Sequence, residues 1–304
     1  MPSSGESNDL THQAQPPDSI GSLEIGLGCG MFLDASLPEL IEAAARRGFP
    51  TITARPACFA AALRAGFTER SLRRLLADSG VRVTMVDALT KGLPGIPGPE
   101  TLSPQLRAVL PFDAIDPPDE ETCLRSAEAL EAPFVNVSLF RGRRVPLQEM
   151  TEAIGALCRR AAARGLKIAL EFYPESGLPD LDFALKVLQS CGEPNCAITL
   201  DVWHLARSGG TVEQIRSLPP GVLAGMQISD RLPPPPGSAY VPMSNRLFPG
   251  EGQLPLGQLI RAALENTPGI SAELEVLNQE LRGMPTDAIA ARVAAVVASW
   301  RRAL

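Results

Sequence analysis

The sequence predicts an α/β fold, a (β/α)8 TIM barrel that forms a single domain, and three observations indicate it. Short apolar segments alternate with helical patterns between residues 23 and 304, as in a parallel barrel. The length of 304 residues accommodates one barrel of about 250 residues and a tail. Oxygen-bearing side chains stand at the ends of the later apolar segments, where barrel enzymes hold their reactive groups.

Each predicted strand is a short run of apolar and β-branched residues bounded by polar or glycine-rich sequence. The strand segments are 23–30, 51–54, 81–87, 134–138, 167–171, 197–201, 223–230 and 270–276. Helical patterns lie near 36–47, 57–79, 119–131, 146–164, 181–189 and 285–302. This alternation favours a closed parallel barrel over an open sheet.

Residues 1–22 are rich in Ser, Gly, Asn, Gln and Pro and contain no apolar core. We therefore expect a disordered N-terminal tail rather than a signal peptide, and we treat His12 within it as incidental. The barrel domain is predicted to occupy 23–304. Two long connections, 91–118 and 231–252, follow the third and seventh strands, so we expect both to overhang the mouth of the barrel.

The net charge of −6, without a basic stripe, argues against nucleic acid or an anionic membrane surface as the partner. No run approaches the roughly 18 apolar residues that a membrane-spanning helix needs. The six cysteines form no CxxC pair, which is typical of small buried residues in a reducing compartment. We expect a cytoplasmic protein with a small-molecule substrate, and the sequence leaves open whether it forms a homo-oligomer.

Strands five to eight each carry one oxygen-bearing side chain at or near their ends: Glu171, Asp201, Gln227 and Glu275. Carboxylates buried together repel one another unless they are protonated or share a cation. Their convergence indicates one divalent metal ion, and an all-oxygen set suits Mg²⁺, Mn²⁺ or Co²⁺ better than Zn²⁺. A single carboxylate at a strand end is commonly a helix cap or a salt-bridge partner, but four such residues on successive strands are harder to explain in that way.

His204 lies three residues beyond Asp201 and is the one histidine outside the tail. A neutral imidazole at the mouth could accept or donate a proton at physiological pH, and the alternative is a structural histidine. The adjacent Trp203 either walls the pocket or packs in the core. Arg55 follows the second strand, so we expect it to face the same mouth as a candidate substrate contact.

Five segments, taken in order, resemble those of the xylose-isomerase-like TIM barrels. They are Ala169-Leu-Glu-Phe-Tyr-Pro174, Leu200-Asp-Val-Trp-His204, Met226-Gln-Ile-Ser-Asp230, Arg246-Leu-Phe-Pro-Gly-Glu-Gly252 and Glu275-Val-Leu-Asn-Gln-Glu-Leu281. The resemblance covers about residues 23–302. This superfamily contains sugar and sugar-phosphate isomerases and epimerases, inosose dehydratases, hydroxypyruvate isomerase and 3-dehydroshikimate dehydratases, so the resemblance is not specific for a substrate.

The resemblance implies that the four oxygen-bearing side chains hold the metal. Many members carry His where Gln227 stands, while the hydroxypyruvate isomerase and dehydroshikimate dehydratase types use Gln. Glu273 lies two residues before Glu275 on the same side of the strand and is the rival fourth ligand, but the match of Glu275-Val-Leu to the family's Glu-Val-Phe pattern decides for Glu275. Arg246 resembles the family's substrate-contacting arginine, whose planar fork suits a carboxylate, a phosphate or a pair of hydroxyls.

These expectations describe a metal-dependent isomerase or epimerase that acts on a small polyhydroxylated carbonyl compound through an enediolate, with Glu171, Glu275 or His204 moving the proton. A dehydratase of the dehydroshikimate or inosose type would share that intermediate. A barrel that has lost catalysis and acts as a binding partner is a further alternative. A DNA-repair phosphodiesterase of the same superfamily would need a histidine-rich trinuclear zinc site, which one histidine in the domain does not supply.

Overall fold

The computed structural model describes residues 23–101, 115–139, 142–174, 176–233 and 246–302. Within these ranges eight parallel strands close into a barrel in sequence order, the first strand pairing with both the second and the eighth. The predicted (β/α)8 TIM barrel is therefore confirmed. The predicted tail 1–22, with His12, and the middle parts of the two long connections, 102–114 and 234–245, lie outside the described residues.

The strands are short and mostly buried, as expected for a barrel wall covered by helices. They are β1 (Ile25–Leu27), β2 (Thr51–Ala54), β3 (Arg82–Leu89), β4 (Phe134–Ser138), β5 (Lys167–Glu171), β6 (Cys196–Asp201), β7 (Leu223–Ile228) and β8 (Ala272–Leu274). β2, β4 and β5 have the predicted bounds. β8 is shorter than predicted at both ends, so Glu275 follows the strand instead of lying within it.

Helices connect the strands on the outside of the barrel. The described α-helices are α1 (Leu37–Arg46), α2 (Pro56–Arg64), α3 (Glu69–Ser79), α4 (Glu120–Ala129), α5 (Leu147–Ala162), α6 (Leu181–Cys191), α7 (Val202–Arg207), α8 (Val212–Arg216), α9 (Leu256–Asn266) and α10 (Thr286–Arg301), with 3-10 turns at Cys29–Met31, Pro99–Thr101 and Gln279–Leu281. The helical sequence predicted over 57–79 forms two helices, because Gly66 adopts a φ of 98° and Thr68 caps the second helix. The patterns above do not predict α7, α8 or α9.

Apolar side chains form one buried cluster that extends through the barrel wall to the inner faces of the helices. Phe59, Phe172 and Phe248 are among its largest fully buried members, and burying side chains of this size contributes strongly to stability. None of the helices in the described ranges is long and apolar enough to cross a bilayer.

The register of the strands fixes which side chains meet at the carboxyl end of the barrel. Glu171 on β5 lies opposite Ser138 on β4, and Asp201 on β6 lies opposite Gln227 on β7. Gln227 lies in turn opposite Glu273 on β8. Since all eight strands run in the same direction, the residues at their carboxyl ends surround a common mouth.

Candidate active site

Asp201 is fully buried at the end of β6, and its two carboxylate oxygens have different partners. Oδ1 accepts hydrogen bonds from the backbone N–H groups of Trp203 at 2.8 Å and His204 at 3.1 Å, so it caps α7. Oδ2 lies 2.7 Å from Nη1 of Arg246. The strand therefore passes directly into a helix that carries His204 to the mouth.

Arg246 is 2% exposed and lies among the predicted metal ligands. Besides Asp201, its Nη1 contacts Oε2 of Glu275 at 3.5 Å and donates to the Glu275 backbone carbonyl at 3.1 Å. Its Nη2 lies 3.1 Å from Nε2 of His204. The residue predicted to contact substrate thus reaches the mouth, where it pairs with two carboxylates of the protein.

The segment that carries Arg246 is anchored to the end of β7 by Asp230. The backbones of Asp230 and Leu247 exchange two hydrogen bonds of 2.8 Å. The Asp230 carboxylate accepts further bonds from the N–H groups of Gly250, Gly252 and Leu254 at 3.0–3.1 Å. A Cβ atom on Gly252 would lie 2.3 Å from Oδ1 of Asp230, so the turn requires glycine at this position.

His204 is buried within an aromatic and charged environment. Its ring centroid lies 5.0 Å from that of Tyr173 and 5.6 Å from that of Trp203. Burial lowers the pKa of His204 to about 3, and the Arg246 charge acts in the same direction. The imidazole is therefore neutral, and because arginine only donates, Nε2 accepts from Arg246 and the ring proton lies on Nδ1.

Asp87 and Asn136 also reach the mouth, although the sequence patterns assign them no role there. The Asn136 side-chain amide donates to Oδ1 of Asp87 and to Oε2 of Glu171, both at 2.8 Å. Gln227 Nε2 donates to Oδ2 of Asp87 at 3.1 Å. Asp87 ended the predicted third strand, so the rule that selected Glu171 and Asp201 applied to it as well.

Glu275 and its rival Glu273 lie in different surroundings. Glu275 shares Arg246 with Asp201 at the mouth, and a Cβ atom on Gly30 would lie 2.8 Å from its Oε1, so glycine leaves room for the carboxylate. Glu273 accepts a hydrogen bond from Thr84 Oγ1 at 2.7 Å. This difference supports Glu275 as the residue available to an ion at the mouth.

Burial disfavours the ionised forms of three of the four carboxyl groups at the mouth, those of Asp87, Glu171 and Glu275. Burial, followed by the charges of its neighbours, raises the pKa of Glu171 well above its ordinary value, and burial also raises the pKa of Asp87. Burial raises the pKa of Glu275 to about 8 even though Arg246 opposes the shift. Asp201 differs from these three groups, because its pKa is lowered. Burial alone would raise that pKa, but the contacts with Arg246 and His204 and the hydrogen bonds to the carboxylate outweigh the effect of burial.

The residues at the mouth fit a divalent cation. Glu171, Asp201 and His204 each offer one ligand atom, and these atoms lie within 4.8 Å of one another. Gln227 Oε1 is buried and makes no hydrogen bond within the described part of the chain, and a carbonyl oxygen left in this way is a suitable ligand for a cation. Including His204 would add a nitrogen donor to the all-oxygen set that the sequence predicted.

The other two predicted substrate contacts occupy different positions. Trp203 is 5% exposed and lies under the Arg246 guanidinium, whose central carbon is 5.0 Å from the ring centroid. Trp203 therefore forms part of the wall of the site. Arg55 directly follows β2 and donates from Nη1 to the backbone carbonyl of Leu33 at 2.9 Å, and a role in substrate binding stays a prediction.

Residues 41–300 match the family model described as the xylose isomerase-like TIM barrel. A curated relative, the peroxisomal Lon protease homolog 2 of Caenorhabditis briggsae, is 28% identical over 141 residues, which are 46% of this chain and 17% of that protein. The chain thus spans a minor part of the curated relative that it matches, and this likeness carries no statement about activity.

Solved structures with the same architecture align with about nine-tenths of this chain. A xylose isomerase-like TIM barrel/4-hydroxyphenylpyruvate dioxygenase fusion protein has a TM-score of 0.71 at 20% identity, covering 90% of this chain and 42% of the fusion protein. The IolI protein, solved with a bound zinc atom, has a TM-score of 0.74 at 15% identity, covering 92% and 98%. The probable 3-DHS dehydratase AsbF from Bacillus anthracis has a TM-score of 0.67 at 18% identity, covering 91% and 99%. At these identities the likeness establishes the fold.

Proposed function

The chain belongs to the xylose isomerase-like TIM barrel family, and on that premise we propose that it is a divalent-metal-dependent isomerase or epimerase. Its proposed substrate is a small polyhydroxylated carbonyl compound, a sugar or a similar molecule, and the reaction proceeds through an enediolate. The observation that carries this proposal is the position of two carboxyl groups, Glu171 and Glu275. They lie on either side of Asp201 and Gln227, the other two proposed oxygen ligands.

Glu171 ends β5 and Glu275 follows β8, so they approach the mouth from two different walls of the closed barrel. Asp201 on β6 and Gln227 on β7 lie between them. A substrate held over Asp201 and Gln227 would present one side to each glutamate. One carboxylate could remove the proton next to the carbonyl and the other could return a proton, which is the requirement of isomerisation or epimerisation.

A divalent ion held by Glu171, Asp201, Gln227 and Glu275 would supply Lewis-acid stabilisation of the negative charge that develops on the substrate oxygens. Each glutamate would use one carboxylate oxygen for the ion and the other for proton transfer, and Asn136 holds Oε2 of Glu171 in place. The neutral His204 imidazole offers hydrogen bonding without adding positive charge to the site. Trp203 and Tyr173 flank His204 and exclude water from that side.

Dehydration is the second candidate function, and the protonation of Glu171 favours it. Burial raises the pKa of Glu171 well above its ordinary value, so its protonated form could assist a leaving hydroxyl while Glu275 removes the proton next to the carbonyl. A dehydratase of the dehydroshikimate or inosose type needs both on one substrate. The partner in either case is a small molecule, and we propose no nucleic-acid role because the net charge is −6.

Metal reconstitution followed by a proton-exchange screen tests the proposal. The full chain would be stripped with a chelator, loaded separately with Mn²⁺, Co²⁺, Mg²⁺ or Zn²⁺, and incubated in D₂O with a panel of ketoses, aldoses, inososes and hydroxylated cyclic ketones. An isomerase or epimerase introduces deuterium next to the carbonyl, visible by NMR, whereas a dehydratase produces a conjugated double bond that absorbs in the ultraviolet. A protein that binds none of the four ions would refute the metal-dependent mechanism.

A further inference from the structure

Asp87 lies in a hydrogen-bonded network that links five strands, β3 to β7, at the mouth. Its Oδ1 accepts from Asn136 Nδ2 at 2.8 Å and its Oδ2 accepts from Gln227 Nε2 at 3.1 Å. Asn136 Nδ2 also donates to Glu171 at 2.8 Å, and Asn136 Oδ1 accepts from Thr199 Oγ1 at 2.8 Å. Both oxygens of Asp87 are thus occupied by side-chain amide donors.

This arrangement determines which end of the Gln227 amide is free. A carboxylate accepts hydrogen bonds but does not donate them, so the NH₂ group of Gln227 must face Asp87. Its carbonyl oxygen is then turned away from Asp87. Gln227 is 2% exposed, and Oε1 makes no hydrogen bond within the described part of the chain, although buried carbonyl groups rarely lack a partner. The atom without a hydrogen-bond partner is therefore an oxygen, and oxygen atoms are the ligands that Mg²⁺ and similar cations prefer.

We propose that Asp87 is a positioning residue that orients Gln227 with its carbonyl oxygen toward the metal. The inference rests on the proposed metal site and adds a residue on β3 to those on β5, β6 and β7 and the one that follows β8. Without the Asp87 acceptor, the Gln227 amide could rotate by half a turn and present its NH₂ group, which repels a cation. Partners behind a metal ligand commonly act in this way by fixing the ligand's orientation.

A simpler role for Asp87 would be to attract the cation through its negative charge alone. The two roles differ in how they depend on Gln227. An effect of charge persists when residue 227 is changed, because it acts directly on the ion. An effect of orientation disappears when the side chain to be oriented is removed, so a double-mutant cycle separates the two.

The experiment is a calorimetric titration of Mn²⁺ into the chelator-stripped full chain, with Asp87→Asn, Gln227→Ala and the double variant. We expect each single substitution to weaken Mn²⁺ binding by about 10- to 100-fold. The double variant should bind no more weakly than Gln227→Ala alone. Wild-type affinity in Asp87→Asn, or losses that multiply in the double variant, would overturn the inference.

Gln227→Glu provides a second background that does not depend on Asp87→Asn folding well alone. A carboxylate at position 227 has two equivalent oxygens and no N–H group for Asp87 to orient, and it would repel the Asp87 carboxylate, so adding Asp87→Asn to Gln227→Glu should not weaken Mn²⁺ binding. A tenfold loss in that background would contradict the proposed role.

Glu273→Gln is the matched control, since it replaces another buried carboxyl group in the barrel, one that binds Thr84, by an amide. It should retain the Mn²⁺ affinity of the wild type. Circular dichroism would confirm that each variant is folded, and the visible spectrum of the Co²⁺ form would report a changed ligand set directly. If the wild type bound no Mn²⁺, the proposed function would fail together with this inference. If the wild type bound Mn²⁺ and Asp87→Asn did so equally well, only this inference would fail.

Discussion

Arg246 Nη1 lies 2.7 Å from Oδ2 of Asp201, the carboxylate oxygen that faces the mouth of the barrel. The same nitrogen lies 3.5 Å from Oε2 of Glu275. The guanidinium therefore contacts two of the four side chains proposed to hold a divalent ion. A monovalent cation supplied by the protein and a divalent ion from solution would share these oxygens, so Arg246 would influence how tightly the proposed ion binds.

Replacing Arg246 with methionine should tighten metal binding. Two cations a few Å apart repel each other by several kcal/mol even at an effective dielectric constant of about 20, so removing the guanidinium should raise the Mn²⁺ affinity by roughly tenfold or more. Isothermal titration of the stripped protein measures this. Arg207→Met is the control, because Arg207 also stacks on Trp203, at 5.6 Å, and its removal should leave the affinity unchanged. A weaker Mn²⁺ complex in Arg246→Met would show that the guanidinium supports the site instead of competing for it.

Asp201→Asn should abolish metal binding while preserving the fold. Asparagine is as good an N-cap as aspartate, so α7 keeps its start, but the charge on the atom facing Arg246 is lost. Because loss of a partner behind a ligand already costs about 10- to 100-fold in affinity, loss of a carboxylate ligand should cost more than about 100-fold. Asp180→Asn is a matched control, since Asp180 caps α6 through the Phe183 N–H at 2.8 Å. Equal Mn²⁺ affinity in Asp201→Asn and wild type would remove Asp201 from the site.

Metal affinity should rise with pH. Burial and neighbouring negative charges raise the pKa of Glu171 and raise that of Glu275 to about 8. A proton on either carboxyl group must leave before the oxygen can bind an ion, so Mn²⁺ binding should strengthen between about pH 6 and 9 and release protons. Titrations in buffers with different ionisation enthalpies count the released protons. An affinity that does not change over this range would mean that both carboxyl groups are already ionised in the free protein.

The sequence was sufficient for the barrel and for placing Glu171, Asp201 and Gln227 at or near the carboxyl ends of β5, β6 and β7, because a buried strand ending in a polar residue is a local pattern. Asp87 fits that pattern too, but its partners Asn136 and Gln227 become apparent only when β3, β4 and β7 meet around the barrel. The pairing of Arg246 with Asp201 joins residues 45 positions apart, and no sequence periodicity reports such a contact. α9 was missed because its N-terminus follows Pro255 and has no side-chain cap.

His204→Gln should lower turnover while leaving metal binding nearly intact. In the metal-free protein the imidazole is neutral and its Nε2 accepts from Arg246. We therefore expect it not to be required as a ligand, and to take part in proton transfer once substrate replaces the Arg246 contact. On a substrate identified by the exchange screen, loss of a general acid or base should lower kcat by about 10² to 10⁴. Unchanged turnover at saturating substrate would identify His204 as structural. A loss of Mn²⁺ affinity would instead identify it as a metal ligand, since its ring lies close to Glu171 and Asp201.

Glu273 should make the metal-free protein less stable as the pH rises. Burial raises its pKa to about 7 from an ordinary value of 4.5, although hydrogen bonds from Thr84 and other side chains oppose the shift. The folded state therefore favours the neutral carboxyl group. The stability that Glu273 contributes is complete below about pH 4.5, declines as the unfolded chain ionises, and is lost as the pH passes about 7, a change on the order of 3 kcal/mol.

Chemical denaturation of wild type and Glu273→Gln at a series of pH values measures this directly. The free energy of unfolding of the wild type should fall relative to that of the variant over this interval, and a difference that stays constant with pH would show that Glu273 is ionised inside the barrel.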